Sequence, residues 1–262
     1  MFRIECAFRN RVSVFTPDTW HALVRRLEIT VKLLLTSSGI TNPSIQDALV
    51  SLLGKPITES NALFVPTGMY PFPGGGAMAL EAVRGRPTSP LSDLGWKSIG
   101  LLELTALPSI QRESWVPLVE ETDALLVWGG NVMYLNYWMR KSGLADVFPT
   151  LEQLVYVGVS AGSIVTTTHN CDFESNLEFV PHDSDMALAK EQTLGIVDFT
   201  MWVHVDNPNP IFEDHTMANV EKWASRVPAP TYAIDDQTAI KVEGDSVEVV
   251  TEGRWKLFTP KT

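Results

Sequence analysis

Leu154-Val-Tyr-Val-Gly-Val-Ser-Ala-Gly-Ser-Ile-Val165 is an apolar run that breaks at Gly-x-Ser-x-Gly and resumes with helical spacing. A short strand that is apolar on both faces belongs inside a sheet covered by helices on both sides. The break, Gly158-Val-Ser-Ala-Gly162, is a strand-to-helix turn that lifts a hydroxyl beyond the strand end, towards the free N–H groups of the following helix. Ser160 is therefore a candidate nucleophile, and the N–H of Ala161 a candidate oxyanion donor. The competing reading of the same residues is a structural serine in a tight turn.

Working outward, Val31–Thr36, Asn61–Thr67, Trp96–Leu104 and Ala124–Gly130 read as four more strands of the same kind. Pro43–Leu53, Met78–Arg84, Ser114–Thr122 and Asn131–Lys141 carry helical spacing between them, and Pro43 follows Asn42 as a helix start should. Such alternation predicts βαβ units and a mostly parallel sheet in an α/β fold. Downstream, Gly195–Val205 is a further apolar run, Glu213–Arg226 a helix and Thr231–Ile234 a strand. Ala239–Phe258 reads as a small antiparallel meander closing the sheet edge. No repeat or linker divides residues 31–262, which are expected to form a single domain. Residues 1–30 form an N-terminal extension, arginine-bearing in an otherwise acidic chain: an extra strand and helix, a poorly ordered leader, or residues ahead of a natural start near Val31. The Pro/Gly-rich stretch from Tyr70 to Leu91 is long for a connection and reads either as a specificity loop or as an insertion without a role.

Composition narrows the function. A chain 45% hydrophobic and 19% charged can fill a core, so disorder is not expected. The net charge of -11 repels phosphate backbones and anionic lipid, which argues against nucleic-acid and membrane partners. Cys6 and Cys171 form neither a disulfide framework nor a thiolate metal site, which fits a reducing cytoplasm. No cofactor or metal is expected, H-E-x-x-H being absent.

A serine hydroxyl needs a base, and the five histidines differ in position. His21 lies in the extension, His182 in a polar loop, His215 in the first turns of a helix, and His169 one long helical stretch beyond Ser160. His204 ends an apolar strand-like run, where open α/β sheets place their ligands, although a satisfied core histidine is an equal reading. An orienting carboxylate is offered by Asp235 or Asp236 at the end of the next strand, or by Asp172, with solvated or capping roles as the alternative for all three. Gly129 and Gly130, at the end of the fourth strand, are candidates for the second oxyanion donor; a flexible turn is the other reading.

With these residues placed, the chain resembles the peptidase family of dipeptidase E (α-aspartyl dipeptidase), with cyanophycinases as more distant relatives. The blocks that carry the resemblance, in order, are Leu33-Leu-Leu-Thr-Ser-Ser, Phe64-Val-Pro-Thr, Gly129-Gly-Asn, Gly158-Val-Ser-Ala-Gly-Ser, Gly195-Ile-Val-Asp-Phe leading to His204, and Ala233-Ile-Asp-Asp-Gln-Thr. The resemblance implies a three-layer α/β/α sandwich of class I glutamine amidotransferase type with flavodoxin-like topology. It also implies Ser160 as nucleophile, His204 as base and Asp236 at the acidic position where the dipeptidase has Glu. Asp172 is the nearest match to a second acid described for the family. Family enzymes cleave dipeptides with N-terminal Asp, and Arg112, Arg140 and Lys141 are available to hold that carboxylate. Trp202-Val-His-Val departs from the family's pattern around its base. A small peptide is thus the expected ligand, and a homo-oligomer stays open. The alternatives are a related hydrolase of another acyl substrate, cyanophycinase-like, and a non-catalytic binding protein of the same fold.

Overall fold

The computed structural model describes residues 31–84, 90–170, 179–180 and 193–260. The N-terminal extension, Asp172, both cysteines, His21 and His182 lie outside the described residues. Among the described residues the strands run β1 (Lys32–Thr36), β2 (Asn61–Val65), β3 (Ser98–Leu101), β4 (Ala124–Val127), β5 (Val155–Val159), β6 (Thr200–Trp202), β7 (Thr231–Ile234), β8 (Thr238–Glu243), β9 (Ser246–Thr251) and β10 (Trp255–Phe258). The helices are α1 (Pro43–Leu53), α2 (Gly75–Val83), α3 (Arg112–Glu120), α4 (Val132–Lys141), α5 (Leu144–Val147), α6 (Ala161–Ile164) and α7 (Met217–Ala224). Among the described residues, no helix is long and apolar enough to cross a membrane.

The main sheet has the order β3-β2-β4-β5-β1-β8-β9, parallel from β3 to β1 and antiparallel beyond. Its parallel part, 3-2-4-5-1, is the flavodoxin order 2-1-3-4-5 with every strand number advanced by one and the first strand taking the last place. Alternation along each strand divides the core in two. Leu33, Leu35, Leu125, Val127 and Tyr156 face α3, α4 and α5, whereas Leu34, Ala124, Leu126, Val155 and Val157 face α1 and α2. The result is the three-layer α/β/α sandwich. Because β3 lies on one side of β2 and β4 on the other, the loops after β2 and β4 diverge to opposite faces. That divergence opens a crevice at the strand ends, the place where such sheets bind ligands.

Four expectations are corrected. Gly195–Val205 is not one long strand: the N–H groups of Leu194, Gly195, Ile196 and Val197 bond to the carbonyls of Val165, Thr166 and Thr167, leaving only Thr200–Trp202 for a ladder. The helix after Ser160 does not continue towards His169. Thr166 and Thr167 turn their hydroxyls onto the carbonyls of Ser163 and Ile164, a local bond that competes with helix extension. The C-terminal meander is split, since β8 and β9 extend the main sheet while β10 pairs antiparallel with β7, which in turn pairs parallel with β6. His215, expected inside a helix, precedes α7, and its Nδ1 bonds the Val203 carbonyl at 2.8 Å.

Candidate active site

Ser160 occupies the turn between β5 and α6 with φ 53° and ψ -115°, a sparsely populated conformation for a residue with a Cβ. Such conformations cost about 1–3 kcal/mol and persist only where the surroundings enforce them. Here the enforcement is visible: the Thr36 carbonyl at the end of β1 accepts from the Ser160 N–H at 3.1 Å and from the Ser163 hydroxyl at 2.7 Å. The flanking glycines are needed for close approach. A Cβ on Gly158 would stand 2.7 Å from the Gly162 carbonyl oxygen, and one on Gly162 would stand 2.1 Å from that of Val127. Gly162→Ala is therefore expected to destabilise the fold by about 3 kcal/mol or more, read as a lower midpoint in urea unfolding.

His204 and Asp236 reach Ser160 from the smaller sheet. Because β6 and β7 are parallel, their carboxyl ends lie side by side, His204 just beyond the first and Asp236 just beyond the second. The antiparallel β1–β8 pair, with Thr36 opposite Ala239, brings Ser37 and Ser38 beside the same segment. His204 Nε2 lies 3.0 Å from Ser160 Oγ, and its Nδ1 lies 2.7 Å from Asp236 Oδ1. The Ser37 hydroxyl donates to Asp236 Oδ1 at 2.6 Å and accepts from the His204 backbone N–H at 2.9 Å. Asn207 Nδ2 donates to Asp236 Oδ2.

These bonds fix the proton positions. Ser37 has one proton, which goes to Asp236, so the imidazole's Nδ1–H also points at Asp236 and Nε2 is left as the acceptor for the Ser160 hydroxyl. Burial of Asp236 works to raise its pKa, but the hydrogen bonds from His204 and Ser37, the His204 charge and a bond from Ser38 outweigh it. The carboxyl is held well below the usual carboxylate range. The His204 ring also stacks on Phe212, centroids 4.1 Å apart and planes 16° from parallel.

Asp235 does different work. Its Oδ1 accepts from the Gln237 N–H and the Thr238 hydroxyl, and its Oδ2 from the Arg254 N–H, so it ties the start of β8 to the approach of β10. Gly129 lies against Ser160, where an added Cβ would be 3.2 Å from Ser160 Cβ. Gly130, at φ 128°, could carry no side chain, since a Cβ would come 2.1 Å from the Gly68 carbonyl oxygen. The Ala161 N–H opens α6, where no intrahelical acceptor exists for it. Sequence reading did not single out the roles of Ser37, Asn207 and Phe212. The available signal for Ser37 was a polar residue at the carboxyl end of a strand neighbouring β5.

A cavity of about 540 Å³ opens over these groups in the crevice between the loops after β2 and β4. Ser160, His204, Gly129 and Gly130 line it, together with Met69, Phe72 and Met78 from the Pro/Gly-rich stretch. That stretch is thus part of the site's wall and holds a helix, α2. Arg112, Arg140 and Lys141 are not among the described lining residues. Arg140 instead bonds Asn136 and the Thr193 carbonyl, while Arg112 lies over the Trp115 ring.

A hydroxyl, an imidazole and an ionised carboxylate in one hydrogen-bonded line, with the hydroxyl on a strained strand-to-helix turn, are the parts a serine hydrolase uses. Comparison with known proteins narrows the class. The chain belongs to peptidase family S51, whose model matches residues 33–250, and it is a serine peptidase. Among curated proteins nothing matches. A crystal structure described as that of a peptidase E protein from Listeria monocytogenes EGD-e is similar at TM-score 0.59 and 19% identity, covering 86% of this chain and 100% of that one. A peptidase from an acI-B1 Actinobacterium is similar at TM-score 0.54 and 19% identity, over 89% of this chain and 96% of its own. Both share the α/β fold.

Proposed function

We propose that the chain hydrolyses small peptides through an acyl-enzyme, with Ser160 as nucleophile, His204 as general base and acid, and Asp236 as the group that orients His204. The unbroken line from Ser160 through His204 to Asp236, opening into the cavity, is the observation that carries the reading. Ser160 Oγ attacks the scissile carbonyl carbon as its proton passes to His204 Nε2. The carbonyl oxygen becomes an oxyanion beside the Ala161 N–H and an N–H of Gly129 or Gly130. Collapse breaks the C–N bond, and the departing amine takes the proton from His204. A water molecule, deprotonated in turn by His204, then releases the acid and restores the hydroxyl.

An N-terminal aspartate in the substrate, as the family resemblance implies, calls for a cation at the cavity wall. Among the described lining residues there is no cation. The test is covalent: a fluorophosphonate is expected to label Ser160, identified by peptide mass, and to extinguish peptide hydrolysis in proportion to labelling. Hydrolysis that survives complete labelling of Ser160 would refute the proposal.

A further inference from the structure

We propose that the cavity selects substrates whose acyl residue, the one supplying the scissile carbonyl, carries a large apolar side chain. This rests on the peptidase reading above and assigns that site a substrate class. The leaving amine must take its proton from His204, so it departs on the side of His204 and Phe212. The acyl residue extends from Ser160 the other way, past Gly129 and Gly130. Gly130 abuts Met69, and Phe72, Met78, Leu91 and Trp128 line the same cavity.

Two observations point to an apolar occupant. Apart from Ser38, Ser160 and His204, the described lining is apolar side chain or glycine, a wall that an apolar side chain can cover and that offers a carboxylate no cation among the described residues. The apolar character also continues to the mouth, where Phe72 is 36%, Met78 46% and Ile211 79% exposed. Large apolar side chains held at the edge of a concave site are surface that a ligand can cover. Phe72 is further braced by Phe179, ring centroids 5.7 Å apart, which keeps that wall in place.

The experiment compares Asp-, Ala-, Leu- and Phe-p-nitroanilide on wild type, Met78→Lys and Ser160→Ala. Wild-type kcat/KM is expected to rise from Ala to Leu and Phe by about tenfold or more, and to stand on the order of 100-fold higher for Phe than for Asp. Met78→Lys, on an exposed position of α2, places a cation at the mouth and is expected to narrow the Phe-to-Asp ratio by about tenfold. Calorimetric binding to Ser160→Ala reads the cavity without chemistry and is expected to give the same rank. A flat series from Ala to Phe, or Asp leading in either turnover or binding, would overturn the apolar assignment. An inert wild type whose Ser160→Ala form still binds Phe ahead of Asp would instead remove the peptidase reading and leave the apolar pocket standing.

Discussion

Ser160→Ala is expected to lower kcat on the order of 10⁶-fold while leaving KM within about threefold. The size of the loss follows from how the site divides its work. Without a hydroxyl, the His204–Asp236 pair has nothing to activate, and only binding and the oxyanion donors remain to act on the substrate. The change should be silent structurally. Alanine keeps the Cβ and hence the same backbone demand at φ 53°, and the hydroxyl's bond to His204 Nε2 is the contact given up. Steady-state kinetics on the p-nitroanilide that wild type cleaves fastest, beside a thermal unfolding curve for each protein, checks both halves. Activity within tenfold of wild type in a folded variant would remove Ser160 from the mechanism.

The contrast between what the sequence made legible and what it hid has a physical basis in this chain. β1, β4 and β5 were readable because each is a short run buried almost entirely on both faces. Strand ends were read too far because burial outlasts the ladder: Leu102 and Leu104 pack into the core after β3 has stopped at Leu101. Ile196 and Val197 misled in the same way, filling the core from a loop. Ser160 announced itself because the turn that exposes it requires Gly158 and Gly162 within the same five residues. The surroundings of Asp236 could not do so. Ser37 meets it across 199 positions of chain, a juxtaposition made by the β1–β8 pairing rather than by local pattern. The different surroundings of Asp235 and Asp236 are likewise non-local: the Arg254 N–H reaches Asp235 from the segment leading into β10, which pairs with β7.

Asp236→Asn is expected to lower kcat about 10⁴-fold with the fold retained, and the reason lies in its neighbours. Asp236 Oδ1 receives protons from His204 and Ser37, and Oδ2 from Asn207, so both oxygens sit among donors. A side-chain amide must turn its NH₂ towards one of them. Turned to His204, it makes Nδ1 the acceptor and moves the imidazole proton to Nε2, facing the Ser160 hydroxyl it is meant to deprotonate. Turned to Asn207, it sets two NH₂ groups against each other unless Asn207 rotates, and rotation breaks the bond its Oδ1 accepts from the Asn209 N–H. Either way the variant loses the negative charge that stabilises the imidazolium during acyl transfer. The same substitution has a stability signature. Because the folded pKa of Asp236 is depressed, its stabilising contribution is complete above the unfolded carboxylate value of about 3.9 and is lost as pH falls below it. Urea unfolding at a series of pH values should therefore show the wild type's advantage over Asp236→Asn constant above about pH 5 and shrinking below about pH 4. A difference independent of pH would mean that Asp236 is not held ionised by His204 and Ser37, and wild-type kcat in the variant would mean that His204 is oriented by something else.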